Sequence, residues 1–546
     1  MSVLSVTDDV TEVAYWRGRA ERAEECAEKA EARVGQLQLR VEELSEQVAV
    51  LSRMLFGRSS EKTGPSSAVD EKPEDRQDSG GGDAGRPARQ RGQRPGSRGH
   101  GRRDYSHLQT REEIHDVPEV DRACPGCGVA FTPLGTDDSE QVDWQVVITR
   151  IVHRRRRYRR CCTCPGPRTV TAPVPPKPIP KGRFTAGFLA RLLYEKYVLG
   201  LPLHRIARAL AAAGLGVAEG TLCGALKDVH GLLGGLDEQI VARNAAAGHV
   251  HADETTWRVF ERVEGKDGTR WWLWVFVAAD TVVFRMDPTR SAAPVEKHFG
   301  IDRAAGALSD GRRLVVSSDF YTVYQSLGRV DGVDPLWCWA HIRRYFIRAG
   351  DAHPQLRYWA DQWVARIGML YLAHRALAAE QPTTGGYREA AGAFEAALRA
   401  IDTARRAEAA IHSLHPAAKK VLATLDREWD GLARHQDFPD LDLDNNAAER
   451  ALRTPVVGRK NYYGAHAEWA AHLAARVWTI VATAERNGRE PLAFLTGYLN
   501  ACATAGGKAP AGPALEPFLT WQTTTQTGSP PSTDPPQDGP PDGPEP

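Results

Sequence analysis

Three acids and two cysteine pairs are the residues of this chain whose type and setting could do chemistry. Asp253 lies in His249-Val-His-Ala-Asp-Glu-Thr-Thr-Trp-Arg-Val-Phe260, a run that reads as a strand. Side chains of a strand alternate between its faces, so His251, Asp253, Thr255 and Trp257 share one side while Ala252, Glu254 and Thr256 share the other. One carboxylate points each way, and Asp253 must find its partners elsewhere. Leu314-Val-Val-Ser-Ser-Asp319 ends an apolar strand in an acid, with Tyr321 and Tyr324 just beyond. An acid on so rigid a base has the form of a second metal ligand, although an Asp at such a place also commonly starts a turn. Glu449, in Asp444-Asn-Asn-Ala-Ala-Glu-Arg450, has two balanced readings. It is either an acid of the same site or a structural glutamate, closing a capping box with Asn446 and pairing with Arg453 at i,i+4.

Cys124-Pro-Gly-Cys127 and Cys161-Cys-Thr-Cys164 are separated by two strand-like runs, 142–149 and 151–160, expected to form a hairpin. Two such knuckles can present Cys124, Cys127, Cys161 and Cys164 to one tetrahedral Zn²⁺ at about 2.3 Å. Cys162 is then spare, and a redox role would need only one of the pairs. Beside them, Arg154, Arg155, Arg156, Arg157, Arg159 and Arg160 put cations on both faces of an extended strand. That is poor for a packed sheet and suits a ribbon lying along a phosphate backbone. Arg459 and Lys460, with Tyr462 and Tyr463, form a second basic and aromatic group. It suits phosphate and base-stacking contacts, or equally is surface charge over core tyrosines. Cys338 and His341 read as a packed cysteine and a histidine near the acids, since no second pair follows nearby.

The elements that must position these residues fall into several modules, as a chain of 546 residues requires. Over residues 13–55 a heptad repeat places Val34, Val41 and Val48 at a, with Leu37, Leu44 and Leu51 at d. This pattern predicts a parallel two-stranded coiled coil, hence a homodimer. Residues 63–103 hold almost no apolar side chains and should be disordered, their arginines serving as a phosphate-binding arm or simply as a solubilising linker. Helical periodicity resumes near residue 188. Two short helices joined by a turn at 214–216 then carry a helix-turn-helix signature, which any helical hairpin shares. A long helical stretch without motifs of its own separates Asp319 from Glu449. The net charge of +1 hides strong local segregation of acids and bases. The longest apolar run, 271–279, is far short of the ~20 residues that cross a bilayer, so no membrane partner and a cytoplasmic location are expected.

The order of Leu55-Phe-Gly-Arg-Ser-Ser-Glu-Lys62, the two cysteine pairs, His251-Ala-Asp-Glu-Thr255, Cys338-x-x-His341, Asp444-Asn-Asn-Ala-Ala-Glu-Arg450 and Gly458-Arg-Lys-Asn461 resembles the IS66 family of bacterial insertion-sequence transposases. The resemblance spans roughly residues 34–499, departing at the extra Cys162 and at Tyr462-Tyr463. It implies a multidomain α/β chain with a ribonuclease-H-like catalytic core in which Asp253, Asp319 and Glu449 form a DDE triad. The implied order is a coiled-coil helix (1–62), a disordered linker (63–103), a zinc-binding domain (104–180) and a helix-turn-helix-like DNA-binding region (181–247). The first part of the core (248–350), a helical insertion (351–440), the second part of the core (441–504) and a disordered Pro-rich tail (505–546) follow. The implied activity is cleavage at the inverted repeats of an insertion element and joining of the 3′-hydroxyl to target DNA. Two Mg²⁺ or Mn²⁺ ions about 3.5–4 Å apart would serve such a reaction, with Asp253 bridging them and Asp319 and Glu449 completing one each. His341 would be auxiliary, and small accessory proteins of the same element are candidate partners. A catalytically silent DNA-binding protein and a nuclease without strand transfer would use the same modules.

Overall fold

The computed structural model describes residues 110–521 apart from 111, 135, 138, 140, 143–145, 160, 162–164, 166, 168, 267 and 520. The expected coiled coil and linker lie outside the described residues, as do Arg160, Cys162, Cys164 and the end of the expected tail. The described chain divides into two units, one up to Val146 and one from Val147. In the first, a 3-10 turn at Glu119–Asp121 leads into a tight loop closed by Cys124 N donating to Val129 O at 2.9 Å and Gly128 N to Cys124 O at 2.8 Å.

The second unit begins with the arginine run, where the expected hairpin is corrected. Arg157–Arg159 pairs antiparallel with Thr169–Thr171, not with 142–149, whose described residues are not in a strand. All three residues of that strand are exposed, because a run of cations offers no apolar face to bury.

Four helices follow: α1 (Ala186–Leu193), α2 (Leu203–Ala212), α3 (Glu219–Leu232) and α4 (Gly234–Ala245). A π-helical turn, Tyr194–Val198, extends α1. The α2–turn–α3 pair matches the helix-turn-helix signature in place. Its exposed cationic side chains include Arg205 and Arg208 on α2, while α3 buries Leu222, Ala225, Leu226 and Val229 and exposes Gly220, Thr221 and Gly224.

Five strands, β1 (His249–Arg258), β2 (Arg270–Val277), β3 (Val282–Asp287), β4 (Leu314–Ser318) and β5 (Val333–Trp337), form one sheet in the order β3-β2-β1-β4-β5. Short connections make β1, β2 and β3 an antiparallel meander. Parallel pairing needs longer crossovers, supplied between β3 and β4 by α5 (Ala293–Phe299) and a small ladder of 301–302 with 307–308, and between β4 and β5 by α6 (Thr322–Leu327). Only β2 runs against the other four. Its Trp271, Leu273, Trp274, Val275, Phe276 and Val277 are all buried, as a strand covered on both faces requires.

After β5 comes α7 (Trp339–Ala352), then the helical stretch α8 (Arg357–Ala378), α9 (Gly385–Ala409), α10 (Pro416–Arg427) and α11 (Trp429–Ala433). Glu408 ties α9 to α8 by accepting from Trp359 Nε1 and Trp363 Nε1, each at 2.7 Å. The chain returns to the sheet through α12 (Asn446–Ala451), α13 (Arg453–Tyr462), α14 (Glu468–Arg486) and α15 (Pro491–Thr504). Helix α14 covers the edge of the sheet. Thr479 and Thr483, one turn apart, accept from Phe284 N at 2.9 Å and Val282 N at 3.0 Å, satisfying edge amides of β3 that burial would otherwise leave unpaired.

Order continues past residue 505, where the sequence suggested a disordered tail. Two 3-10 turns, Gly512–Ala514 and Glu516–Phe518, follow, with Leu515 buried and Phe518 packed edge-on to Tyr498. A Cβ on Gly507 would stand 2.7 Å from Pro180, so this segment also packs on the proline-rich stretch before α1. Scattered apolar residues among Pro and Gly suffice here because Phe494, Tyr498 and Pro180 receive them.

One buried polar network locks α4 to the meander. Asn244 Nδ2 donates to the carbonyls of Phe276 and Thr281, both at 3.2 Å, and its Oδ1 lies 2.8 Å from His298 Nε2. His298 stacks on Phe276. Asn244→Leu strands these groups without partners and is expected to cost about 3 kcal/mol, read as a lower urea midpoint at unchanged slope. An unchanged midpoint would mean that water replaces the lost bonds.

Candidate active site

β1 and β4 pair in parallel with His251 opposite Ser317. Asp253 lies two residues further along β1, and Asp319 directly follows Ser318, the last residue of β4, so two neighbouring strands about 4.8 Å apart bring both acids to the same end of the sheet. Asp319 Oδ1 accepts from Tyr321 N at 2.9 Å, which fixes the carboxylate at the mouth of the turn before α6.

The third acid arrives by a different route. Glu449 is in the first turn of α12, whose N-cap is Asn445 and not the expected Asn446. The amide of Asn446 is taken instead by Asp444 Oδ1 at 3.0 Å. Asn445 is fully buried, and its side chain leaves the helix altogether. Its Nδ2 donates to Ala252 O at 2.8 Å, its Oδ1 lies 3.3 Å from His251 Nδ1, and its backbone amide donates to Cys338 Sγ at 3.2 Å. The start of the glutamate helix is thereby tied to β1 at the residue before Asp253. Burial pushes the Cys338 thiol up to about 12, so it stays protonated and serves as an acceptor in the packing.

The glutamate is held by α7. Arg344 Nη2 donates to Glu449 Oε1 at 3.0 Å, and His341 Nε2 is 3.7 Å from the same oxygen. Burial, then the charge of Arg344, hold His341 below its usual range, so it is neutral at pH 7.

Electrostatics mark Asp253 as the centre of the group. Its carboxyl is pushed up to about 8, first by burial, then by the negative charges of Glu254, Asp319 and Glu449. Glu254 lies on the other face of β1, as alternation requires, and has a counter-charge of its own. Arg290 Nε donates to its Oε1 at 2.8 Å, and Tyr324 OH donates to its Oε2 at 2.7 Å. The Arg290 guanidinium is in turn sandwiched by Tyr321 and Trp272, 3.6 Å and 4.6 Å from the ring centres. Asp253 is therefore the carboxylate in need of a cation. Oxygen donors in a setting of excess negative charge suit a hard divalent ion such as Mg²⁺ or Mn²⁺ in kind. Among the described residues no three His, Cys, Asp or Glu side chains are already grouped to hold a metal ion.

The remaining sequence candidates separate. Arg459 belongs to the core edge: its Nη1 donates to Thr255 Oγ1 at 3.2 Å and Thr256 Oγ1 at 3.0 Å on β1. Lys460 is exposed. Tyr462 packs inward against Trp257, whereas Tyr463 is 71% exposed in the left-handed conformation at φ 64. The turn is forced by Gly464, where a Cβ would meet Arg258 O at 2.3 Å. Of the arginine run, residues 154–157 and Arg159 are exposed, and Arg155 Nε donates to Ala172 O at 2.8 Å. Among the cysteines, Cys124 lies in the tight loop of the first unit, where the amides of Gly126 and Cys127 lower its pKa; Cys161 is exposed. With Cys164 outside the described residues, the four-thiolate expectation rests on spacing.

Sequence reasoning passed over Asn445, Arg290 and Arg344. Arg344 left a signal, since it lies three residues beyond His341 on one helix face. Asn445 left none beyond its place four residues before Glu449.

Residues 181–473, which include Asp253, Asp319 and Glu449, match the model of the family described as "Transposase IS66 family". The chain is also 26% identical over 408 residues to the uncharacterized protein y4qI of Sinorhizobium fredii (strain NBRC 101917 / NGR234), covering 73% of each. It is similar to two further uncharacterized proteins of that organism. With y4hP it shares 23% identity over 418 residues, 71% of this chain and 72% of the other. With y4jD it shares 26% over 396 residues, 69% and 74%.

Proposed function

The chain belongs to the IS66 family of transposases, and from that premise we propose that it cuts DNA at the ends of an insertion element and joins the freed 3′-hydroxyl to target DNA. The observation that carries the reading is the convergence of charge on one buried carboxylate, Asp253, from Asp319 and Glu449, two acids far away in sequence. The strand order β3-β2-β1-β4-β5, with β2 alone reversed, supports a ribonuclease-H-like core. DNA binding and divalent metal use are what the family implies.

Asp253, Asp319 and Glu449 are the residues that would hold Mg²⁺ or Mn²⁺. Such ions, when bound, activate the attacking oxygen and stabilise the leaving one. The chain's own task is to hold the three carboxylates in register. β1 and β4 do this for the aspartates, and Asn445 does it for the glutamate helix by its bond to Ala252 O. Arg290 and Tyr324 engage Glu254, so that this fourth acid does not compete for the cation. Lys460 and the exposed arginines at 154–157 and 159 are proposed phosphate contacts, and Tyr463 a stacking surface. On their spacing, Cys124, Cys127, Cys161 and Cys164 are the proposed zinc ligands, to be checked by zinc content of the purified protein.

The test uses a duplex carrying the terminal repeats that flank the gene, a supercoiled target plasmid and Mg²⁺. Nicks at the repeat ends and end-to-plasmid joints are expected. Cleavage without joining would make it a nuclease, and a mobility shift without cleavage would make it a silent DNA-binding protein.

A further inference from the structure

His341 and Arg344 lie one turn apart on α7 and so present one face, and that face meets Glu449. The contact is with a single oxygen, Oε1, bonded by Arg344 at 3.0 Å and approached by His341 at 3.7 Å. Both partners are partly open to solvent, the arginine side chain 40% and the glutamate 32% exposed. The pair is therefore weak enough to exchange. His341 Nδ1 is buried without a hydrogen-bond partner, so the imidazole is held by packing, stacked edge-on against Phe320, and its Nε2 faces the glutamate. Arg344 also senses Asp253: although burial works against its charge, Glu449, Cys338 and Asp253 raise its pKa.

Three carboxylates whose charges act on one another repel, and among the described residues a side chain bonded directly to one of them is Arg344. Resting on the reading of Asp253, Asp319 and Glu449 as the metal-holding acids, we propose that Arg344 is a positioning residue that competes with the divalent cation for Glu449. The guanidinium bonded to Oε1 offsets that repulsion and fixes the orientation of the glutamate. A divalent cation held by Glu449 would compete with Arg344 for that carboxylate, and the freed guanidinium, with its planar fork, would suit a phosphate oxygen of the DNA. The signature is two effects of opposite sign from one substitution: losing Arg344 strengthens metal binding and weakens catalysis. An arginine that merely braces the helix would, when removed, weaken both.

The experiment titrates Mn²⁺ into the purified full chain without DNA, reading free Mn²⁺ by electron paramagnetic resonance. Arg344→Ala is expected to bind Mn²⁺ about two- to fivefold more tightly, the range for loss of a partly exposed ion pair. Arg344→Lys, which keeps the charge but not the fork, should fall between it and the parent. Arg348→Ala removes an exposed cation one turn further along α7 and leaves the Glu449 contact intact, so it should change the affinity less than Arg344→Ala does. DNA cleavage at saturating Mn²⁺ should drop for Arg344→Ala although its metal affinity has risen. Unchanged or weaker Mn²⁺ binding in Arg344→Ala overturns the proposal, as does equal tightening in Arg348→Ala. Glu449→Gln separates the two levels of inference. If it leaves Mn²⁺ binding intact, the assignment of Glu449 itself fails; if it weakens binding while Arg344→Ala does not strengthen it, only the role of Arg344 fails.

Discussion

Asp253→Asn should reduce Mg²⁺-dependent cleavage of an end-bearing duplex by about a thousandfold or more, the several kcal/mol that a metal-held phosphoryl transfer loses with its central ligand. The same substitution is expected to stabilise the metal-free protein. The Asp253 carboxyl is pushed up to about 8, above the unfolded value near 3.8, so the folded state binds more protons than the unfolded one throughout that interval. Its contribution to stability is therefore full below about pH 3.8 and is lost as pH rises through 8. At pH 7 the native chain carries this cost, and a neutral amide of the same shape removes it. The combination discriminates well. A dead variant that melts higher than the parent has lost chemistry and kept its fold, whereas cleavage retained within tenfold would exclude Asp253 from the reaction. Asp319→Asn and Glu449→Gln should be as inactive if the three act as a unit.

Mild acid should destabilise the protein, and buried histidines are the cause. Burial holds His249 and His298 down to about 3 and His435 to about 4. Each is neutral in the native state, and His298 Nε2–H donates to Asn244 Oδ1, since the amide hydrogens of Asn244 face carbonyls. Below pH 6.5 the unfolded chain takes up protons that the folded one refuses, so stability present above 6.5 is lost as pH falls toward 4. Each group contributes up to about 1.4 kcal/mol per pH unit in that window. Three histidines outweigh the opposite trend of Asp253, and the net of two groups should remove up to about 4 kcal/mol between pH 6.5 and 5, a large part of the stability of an ordinary domain. Urea midpoints measured from pH 7.5 to 5 test this, and a flat profile would show that these rings accept protons in place. Replacing His298 by Gln should flatten the slope by up to about 1.4 kcal/mol per pH unit, the share of one group.

The two substitutions probe different levels of the same architecture. Local sequence carried much of it: the β1 strand and the apolar strand β4 follow from periodicity and turn chemistry, because each is a short pattern with a clear boundary. The helix-turn-helix pair was legible for the same reason, as was the long helical stretch before Glu449. The arginine strand was misassigned because its pairing partner, Thr169–Thr171, lies beyond the cysteines and shows no apolar alternation of its own. The segment after residue 505 looked featureless, since its order comes from contacts with residues outside it, Tyr498 and Pro180.

For the site, the sequence by itself determined which acids are available and that Asp253 and Glu254 point to opposite faces, since alternation along a strand is a local rule. It also determined, through the order of its motifs, the family. Tertiary structure alone decided what each carboxylate meets. Asn446 looked like the cap, yet Asn445 holds the helix, because the acceptor that selects it is a carbonyl of β1 almost two hundred residues earlier. Glu449 looked equally like a capping residue, yet its oxygen faces Arg344 of another helix. Arg459 looked equally like a phosphate contact and like surface charge, yet its guanidinium is bonded to the threonines of β1. Residue type and spacing fix which groups can interact along one element; which charge stands beside which is set when separate elements pack, and at Asp253 that packing makes the difference between a solvated strand residue and a buried acid with a carboxyl pushed up to about 8.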